Sequence, residues 1–354
     1  MGIPGEGARR RRICIVHTGG TIGMRRMADG YRPVPGYLAE RMSAMAELSD
    51  PAMPEYRLRE SDPLLDSAGM RPGDWVRIAR DIAERHERYD GFVVLHGTDT
   101  MAYTASALPF LLEGLRKPVI VTGSQIPLCE VRNDARENLI TAMLAAARVE
   151  IPEVCLLFGS RLLRGCRSTK VAANRFEAFE SPNFPSLARI GVGIDVRRHG
   201  VRTPPVSPAR PEVVWTETPS VAALRIFPGI SADLVRSVLR PPVRGLVLET
   251  YGMGNAPVND GDFMAALREG TDRGAVIVNC TQCLGGRVRM DAYATGSGLA
   301  RAGVTSGHDM TAEAALAKMI CLFGRGWSAE AVRNGMGENL AGELTPPENK
   351  KRDW

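Results

Sequence analysis

Short apolar runs recur along the first half of the chain: Ile13-Cys14-Ile15-Val16, Phe92-Val93-Val94-Leu95, Pro118-Val119-Ile120-Val121 and Val154-Cys155-Leu156-Leu157-Phe158. Runs of this length without polar alternation read as strands buried on both faces, the habit of a parallel sheet. Helical spacing fills the gaps. Pro72 to Arg88 sets Trp75, Val76, Ile78, Ala79, Ile82 and Ala83 on one face, and Thr100 to Leu115 is helical in pattern with a kink expected at Pro109. Asp134 with Glu137 predicts a capping box opening a helix through Ala147. Strand and helix in alternation predict a doubly wound α/β layer with helices on both faces of the sheet. Met24 to Gly36, polar and bearing Gly and Pro, is expected to form a long loop, and such loops tend to be functional.

The pattern breaks between His199 and Pro211, where four prolines and few apolar residues predict a linker. The expected organisation is a first domain over residues 1–200, a linker over 201–211 and a smaller second α/β domain over 212–354. Beyond the linker the strands start at Val221, Gly245 and Ala275. Ser231 caps one helix, another runs near Phe263 to Glu269, and helices begin at Thr311 and Ser328.

Composition narrows the function classes. The 354 residues are 44% hydrophobic and 24% charged, an ordinary globular balance with enough apolar material for two cores. The net charge of +5 traces to Arg9 to Arg12 and to Lys350-Lys351-Arg352, runs expected to be solvated arms and not a nucleic-acid surface. Only four apolar residues precede His17, too few for the ~7 to 15 of a signal-peptide core. No run reaches the ~18 of a membrane span. Seven cysteines, most inside apolar runs, read as buried thiols of a protein in a reducing cytoplasm, not as a disulfide framework.

The chemistry-bearing residues sit where strands end, which is where ligands bind in open parallel sheets. After the first strand comes His17-Thr18-Gly19-Gly20-Thr21-Ile22-Gly23, and after the next apolar run comes His96-Gly97-Thr98-Asp99-Thr100-Met101. Paired glycines let the backbone approach a ligand closely, so Thr21 is either presented as a nucleophile or part of a plain turn. Thr98-Asp99 places a hydroxyl beside a carboxylate. A base is missing locally: His96 reads as a satisfied histidine, while Lys170 in Arg164-Gly-Cys-Arg-Ser-Thr-Lys170 reads on spacing alone as a surface lysine and, with Thr21, Thr98 and Asp99, as a base among cations that would favour its neutral form. Asp66-Ser67, in Ser61-Asp-Pro-Leu-Leu-Asp-Ser, reads as turn chemistry between elements or as a grip on an α-amino and α-carboxylate pair. Cys280-Thr-Gln-Cys283 has metal spacing but no second cysteine pair or histidine cluster, and the glycines after the first strand miss the G-x-G-x-x-G dinucleotide spacing.

Taken in order, these segments resemble the bacterial-type L-asparaginases, and more closely their cytoplasmic type I branch, over essentially the whole chain. Further matching segments are Val121-Thr-Gly-Ser-Gln-Ile-Pro127, Tyr251-Gly-Met-Gly-Asn255-Ala-Pro and Gly342-Glu343-Leu-Thr-Pro346. The resemblance implies a larger flavodoxin-like amino-terminal domain, a smaller carboxyl-terminal domain and a homo-oligomer built from intimate dimers. It implies asparagine hydrolysis without metal or organic cofactor. It makes Thr21 the nucleophile, assisted by Tyr31, with Thr98, Asp99 and Lys170 as a supporting triad. It makes Gly20, Asp66, Ser67, Thr98, Asp99 and Asn255 substrate contacts, Asn255 coming from the partner subunit. Type I enzymes can carry an allosteric asparagine site, which falls here at Thr169, Thr250, Tyr251, Asn255, Thr281 and Cys283. Glu249 departs from that pattern, placing an acid where an effector's carboxylate favours a base. The non-enzymatic alternative is an asparagine-binding sensor without turnover.

Overall fold

The first apolar run becomes β1 (Arg12–Gly19), almost wholly buried from Ile13 onward, in the computed structural model, which describes residues 9–204, 210–290 and 294–346. The chain divides into two units, Met1–Val213 and Val214–Trp354. In the first, β1 leads not into a loop but into an antiparallel hairpin of β2 (Met24–Met27) and β3 (Gly30–Pro33). The hairpin is mostly exposed, so no buried face writes a period-2 pattern into its sequence. Helix α1 (Tyr37–Ser43) then buries Leu38 and Met42.

Strand β4 (Glu55–Leu65) had no clear signature and absorbs Ser61 to Leu65, expected as loop. It is the sheet edge, half-buried, and an edge tolerates Pro63. The rest of the unit follows in order: α2 (Pro72–Arg85), β5 (Gly91–Leu95), α3 (Met101–Leu111), β6 (Val119–Thr122), α4 (Ala135–Arg148) and β7 (Val154–Phe158). Short strands β8 (Arg161–Arg164), β9 (Thr169–Lys170), β10 (Phe179–Glu180), β11 (Ala188–Ile190) and β12 (Ile194–Val196) complete it. The eight-stranded sheet runs β12-β11-β8-β7-β6-β5-β1-β4. It is parallel from β4 to β7 and antiparallel beyond. The chain leaves β1 for β4 on one side and returns to β5 on the other, so the order reverses at β1 and opens a crevice at its carboxyl end.

Two expectations are corrected. Asp134 does not cap α4; its carboxylate instead accepts from the amides of Gln125 and Ile126 at 2.9 and 3.0 Å, since those loop amides have no strand partner and compete for it. The Arg9 to Arg12 run is not a free arm: Arg9 pairs with Asp90 at 2.7 Å and Arg10 donates to the carbonyls of Met53 and Asp50. Lys350-Lys351-Arg352, and residues 205–209 of the expected linker, lie outside the described residues.

The second unit is a four-stranded parallel sheet in sequence order, β13 (Val221–Arg225), β14 (Gly245–Thr250), β15 (Val276–Thr281) and β16 (Thr305–Ser306). Its helices are α5 (Ala232–Val238), α6 (Gly261–Asp272), α7 (Ala294–Arg301), α8 (Ala312–Gly324) and α9 (Ala329–Gly337). The hydroxyls of Ser231, Thr311 and Ser328 cap α5, α8 and α9 as expected. Alternation along β14 and β15 splits the core. Leu246, Leu248 and Ile277 pack with Phe263 and Leu267 of α6, while Val247, Val276 and Val278 pack with Met319 and Phe323 of α8. Among the described residues no helix is long and apolar enough to cross a membrane.

The closing Gly342-Glu343 segment is locked by a fully buried ion pair, Lys318 Nζ to Glu343 at 2.5 Å. Glu343 also accepts from the amides of Leu340 and Ala341, and Lys318 donates to the Glu338 carbonyl. Lys318→Met strands a buried carboxylate, and we expect it to cost about 3–5 kcal/mol in urea unfolding. Loss below about 1 kcal/mol would show the pair to be dispensable.

Candidate active site

Three strand ends meet at the crevice beside β1. Gly19 is in register with Leu65 at the end of β4, and the amide of Gly20 donates to the Leu65 carbonyl at 3.2 Å. On the other side Gly20, at φ +82°, lies so close to the β5 turn that a Cβ there would stand 2.3 Å from the nitrogen of Gly97. A Cβ on Gly97 would in turn stand 2.4 Å from Ser67 Oγ. Only glycine fits either place, and the two contacts bring together the segments carrying Thr21, Ser67 and Thr98.

Within this cluster the hydroxyls separate by role. Thr18 Oγ1 donates to the Leu95 carbonyl at 2.9 Å and is a stitch between β1 and β5. Thr21, half-buried in a 3-10 turn over Thr21–Gly23, has no hydrogen-bond partner for its hydroxyl among the described residues. Asp66 accepts from the Ala68 amide at 3.2 Å, the expected turn chemistry, and its next residue Ser67 is buried with its carbonyl taking the Thr100 hydroxyl. Lys170, in β9, donates to Thr98 Oγ1 at 2.9 Å and Asp99 Oδ1 at 2.8 Å. Its side chain is 21% exposed against 64% for Asp99. The cationic surroundings expected of Lys170 are partly neutralised, because Arg164 is held in a buried pair with Glu153 at 2.6 Å.

A further loop, after β6, belongs to the site although sequence reasoning gave its side chains no role. Gln125 Oε1 accepts from Thr98 Oγ1 at 3.4 Å, while its amide nitrogen bonds the carbonyls of Ala173 and Arg175. Asp134 holds the backbone of this loop, and Asn138 one turn later donates to Asp134 and to the Gly123 carbonyl. The Asp134/Asn138 pair, four apart at a helix start behind a strand-end loop, was the signal available. Tyr31, on the exposed hairpin, donates its phenol proton to Glu130 at 2.6 Å.

Two histidines lie beneath the turns. His96 is satisfied, with Nδ1 against the Gly97 carbonyl and Nε2 against Thr104, both at 2.7 Å. His17 is fully buried under Gly23 and neither ring nitrogen has a partner among the described residues. Burial pushes both imidazoles down to about 4, so both are neutral near pH 7.

The remaining predicted positions belong to the second unit, apart from Thr169, which is buried next to Lys170 in β9. Thr250 and Thr281 are register partners at the ends of β14 and β15. Thr250 is fully buried with its hydroxyl on Asn279, whereas Thr281 Oγ1 bonds the Gly252 carbonyl and receives the Cys283 amide. Tyr251 and Asn255 close a tight turn through paired backbone bonds of 3.0 and 2.8 Å. Glu249 precedes them, its carboxyl raised above the usual range by burial.

Comparison with known proteins gives one family for both units. Residues 12–202 match "Asparaginase, N-terminal", and residues 220–336 match "Glutaminase/Asparaginase C-terminal domain". The chain is 51% identical to L-asparaginase 1 of Escherichia coli over 95% of its own length and 99% of the relative's. It is 45% identical to the human 60 kDa lysophospholipase over 97% of its length, spanning 63% of that protein. The crystal structure of L-asparaginase I from Vibrio cholerae superposes with a TM-score of 0.88 at 46% identity, covering 95% of this chain and all of that one.

The buried histidines set an acid dependence of stability. Their folded values of about 4 lie below the ordinary 6.5, so as pH falls from 6.5 the unfolded chain takes up protons that the folded chain refuses. Stability is full above pH 7 and declines toward pH 4, by up to about 3 kcal/mol per histidine. Thermal melts between pH 7 and 5, above the carboxylate range, should show a falling Tm; a flat Tm over that span contradicts the assignment.

Proposed function

The chain belongs to the asparaginase family, and we propose that it hydrolyses L-asparagine to L-aspartate and ammonia, with Thr21 as the nucleophile. The observation that carries this reading is the Lys170 contact with both Thr98 and Asp99, at a strand end whose backbone is pressed against the Thr21 turn. The surrounding groups, hydroxyls, carboxylates and one lysine, suit a small polar amino acid and not an acyl chain.

In this mechanism Thr21 Oγ1 attacks the side-chain amide carbon and Tyr31 assists removal of its proton. The amide N–H of Thr21 and those of the Gly97-Thr98 turn face the developing oxyanion. The proton taken from Thr21 is delivered to the amide nitrogen, the C–N bond breaks and ammonia leaves, and an ester joins Thr21 to the aspartyl group. Water then attacks the ester, its proton passing to Thr98 Oγ1 as Thr98's own passes to Lys170, which acts as a neutral amine oriented by Asp99; the ester C–O bond breaks and Thr21 Oγ1 takes the proton back as aspartate leaves. Asp66 and Ser67 hold the α-amino and α-carboxylate groups, and Asn255 contributes from a second copy in an intimate dimer. The hairpin bearing Tyr31 acts as a lid that keeps bulk water from the ester. The assembly works in the cytoplasm and admits glutamine weakly. One methylene separates the two amides, worth only about 1–3 kcal/mol of discrimination.

Thr21→Ala should abolish ammonia release, and Lys170→Met should lower kcat by roughly 10² to 10⁴-fold, both with unchanged circular dichroism. Retained activity in either variant would sink the mechanism. Asparagine binding by calorimetry with no ammonia from the wild type would favour a sensor instead. Steady-state kinetics on asparagine and glutamine should give a kcat/KM ratio of about 10 to 200 in favour of asparagine.

A further inference from the structure

The loop that follows β6 is tied to the Thr21 turn and to the hairpin at three successive residues. The Leu128 amide donates to the Ile22 carbonyl at 3.3 Å, Cys129 Sγ to the Met24 carbonyl at 3.6 Å, and Glu130 receives the Tyr31 phenol at 2.6 Å. The loop is itself held in place. Asp134 fixes its start through Gln125 and Ile126, the Glu130 amide closes a turn on the Pro127 carbonyl, and Asn133 binds the Glu130 carbonyl. β3, which carries Tyr31, packs on the Thr21–Gly23 turn.

The direction of the Tyr31 hydrogen bond has a chemical consequence. A phenol has one proton and an ionised carboxylate only accepts, so Tyr31 spends its proton on Glu130. Its oxygen is then left with lone pairs alone and can meet a second hydroxyl only as acceptor. A phenol without such a partner could as well donate to Thr21, which would hold the nucleophile's proton in place.

We propose that Glu130 is a positioning residue that acts through Tyr31: it anchors the hairpin and fixes the phenol as a hydrogen-bond acceptor toward Thr21, able to take the Thr21 proton only as its own passes to Glu130. The inference rests on the hydrolase reading above and deepens it, adding a side chain from the loop after β6. The same contact pushes the phenol's pKa above its ordinary value, chiefly through the hydrogen bond to Glu130.

The test is a double-mutant cycle with Glu130→Gln and Tyr31→Phe. Glu130→Gln keeps the size but brings an amide that can donate, and should lower kcat for asparagine by about 10²-fold. On the Tyr31→Phe background the same substitution should change kcat less than 3-fold, because its effect passes through the missing phenol. A merely structural role would not move the second readout: ultraviolet titration of Tyr31, taken as wild type minus Tyr31→Phe, should shift to lower pH in Glu130→Gln. An unchanged kcat in Glu130→Gln, additive losses in the double variant, or an unmoved phenol titration would each overturn the proposal. Should the wild type release no ammonia while the phenol titration still shifts, the hydrolase reading fails and the Tyr31–Glu130 contact stands.

Discussion

The backbone contact between Gly20 and Gly97 is the constraint on which the site depends. Two turns that each end a parallel strand would ordinarily be kept apart by their side chains. Here the first residue of one turn has no Cβ and sits at φ +82°, and the facing residue of the other also lacks one. The separation saved is what lets the Thr21, Ser67 and Thr98 segments share one crevice. The sheet order supplies the place, since β1 lies between β4 and β5, and the glycines supply the proximity. Neither suffices alone.

Around that contact the polar groups divide into those whose hydrogen bonds are spent on the fold and those whose are not. Thr18, His96, Thr100, Asp134 and Asn138 all have their hydrogen bonds answered by backbone or by one another, as buried polar groups must. Among the described residues Thr21 has a hydroxyl without such a commitment, and Lys170 is committed only to the two groups it would serve. The electrostatics follow the same division. Arg164 is neutralised by Glu153 out of reach of solvent, and His17 and His96 stay neutral through burial, while Lys170 contacts Asp99 at the crevice.

Much of the fold was legible because burial on both faces writes an unmistakable run into a strand. β1, β5, β6, β7, β14 and β15 are such runs, and each was found to within three residues. β4 and the β2–β3 hairpin were not found, because an edge and an exposed hairpin have no continuous apolar face to record. Asp134 was misread for a related reason. Its capping-box spacing with Glu137 is a local rule, and the amides that outbid the helix come from a loop nine residues earlier.

What the sequence determined by itself was the alternation of layers, the position of hydroxyls and carboxylates at strand ends, and, through the order of its motifs, the family. These are properties of periodicity and of local spacing, which a chain carries whether folded or not. Tertiary structure alone decided which strand ends become neighbours, that Lys170 reaches across 72 residues to Thr98, and that Glu130 meets Tyr31 across 99. Side chains that far apart in sequence have no spacing rule, and only the closed sheet with its two facing glycines fixes their distance.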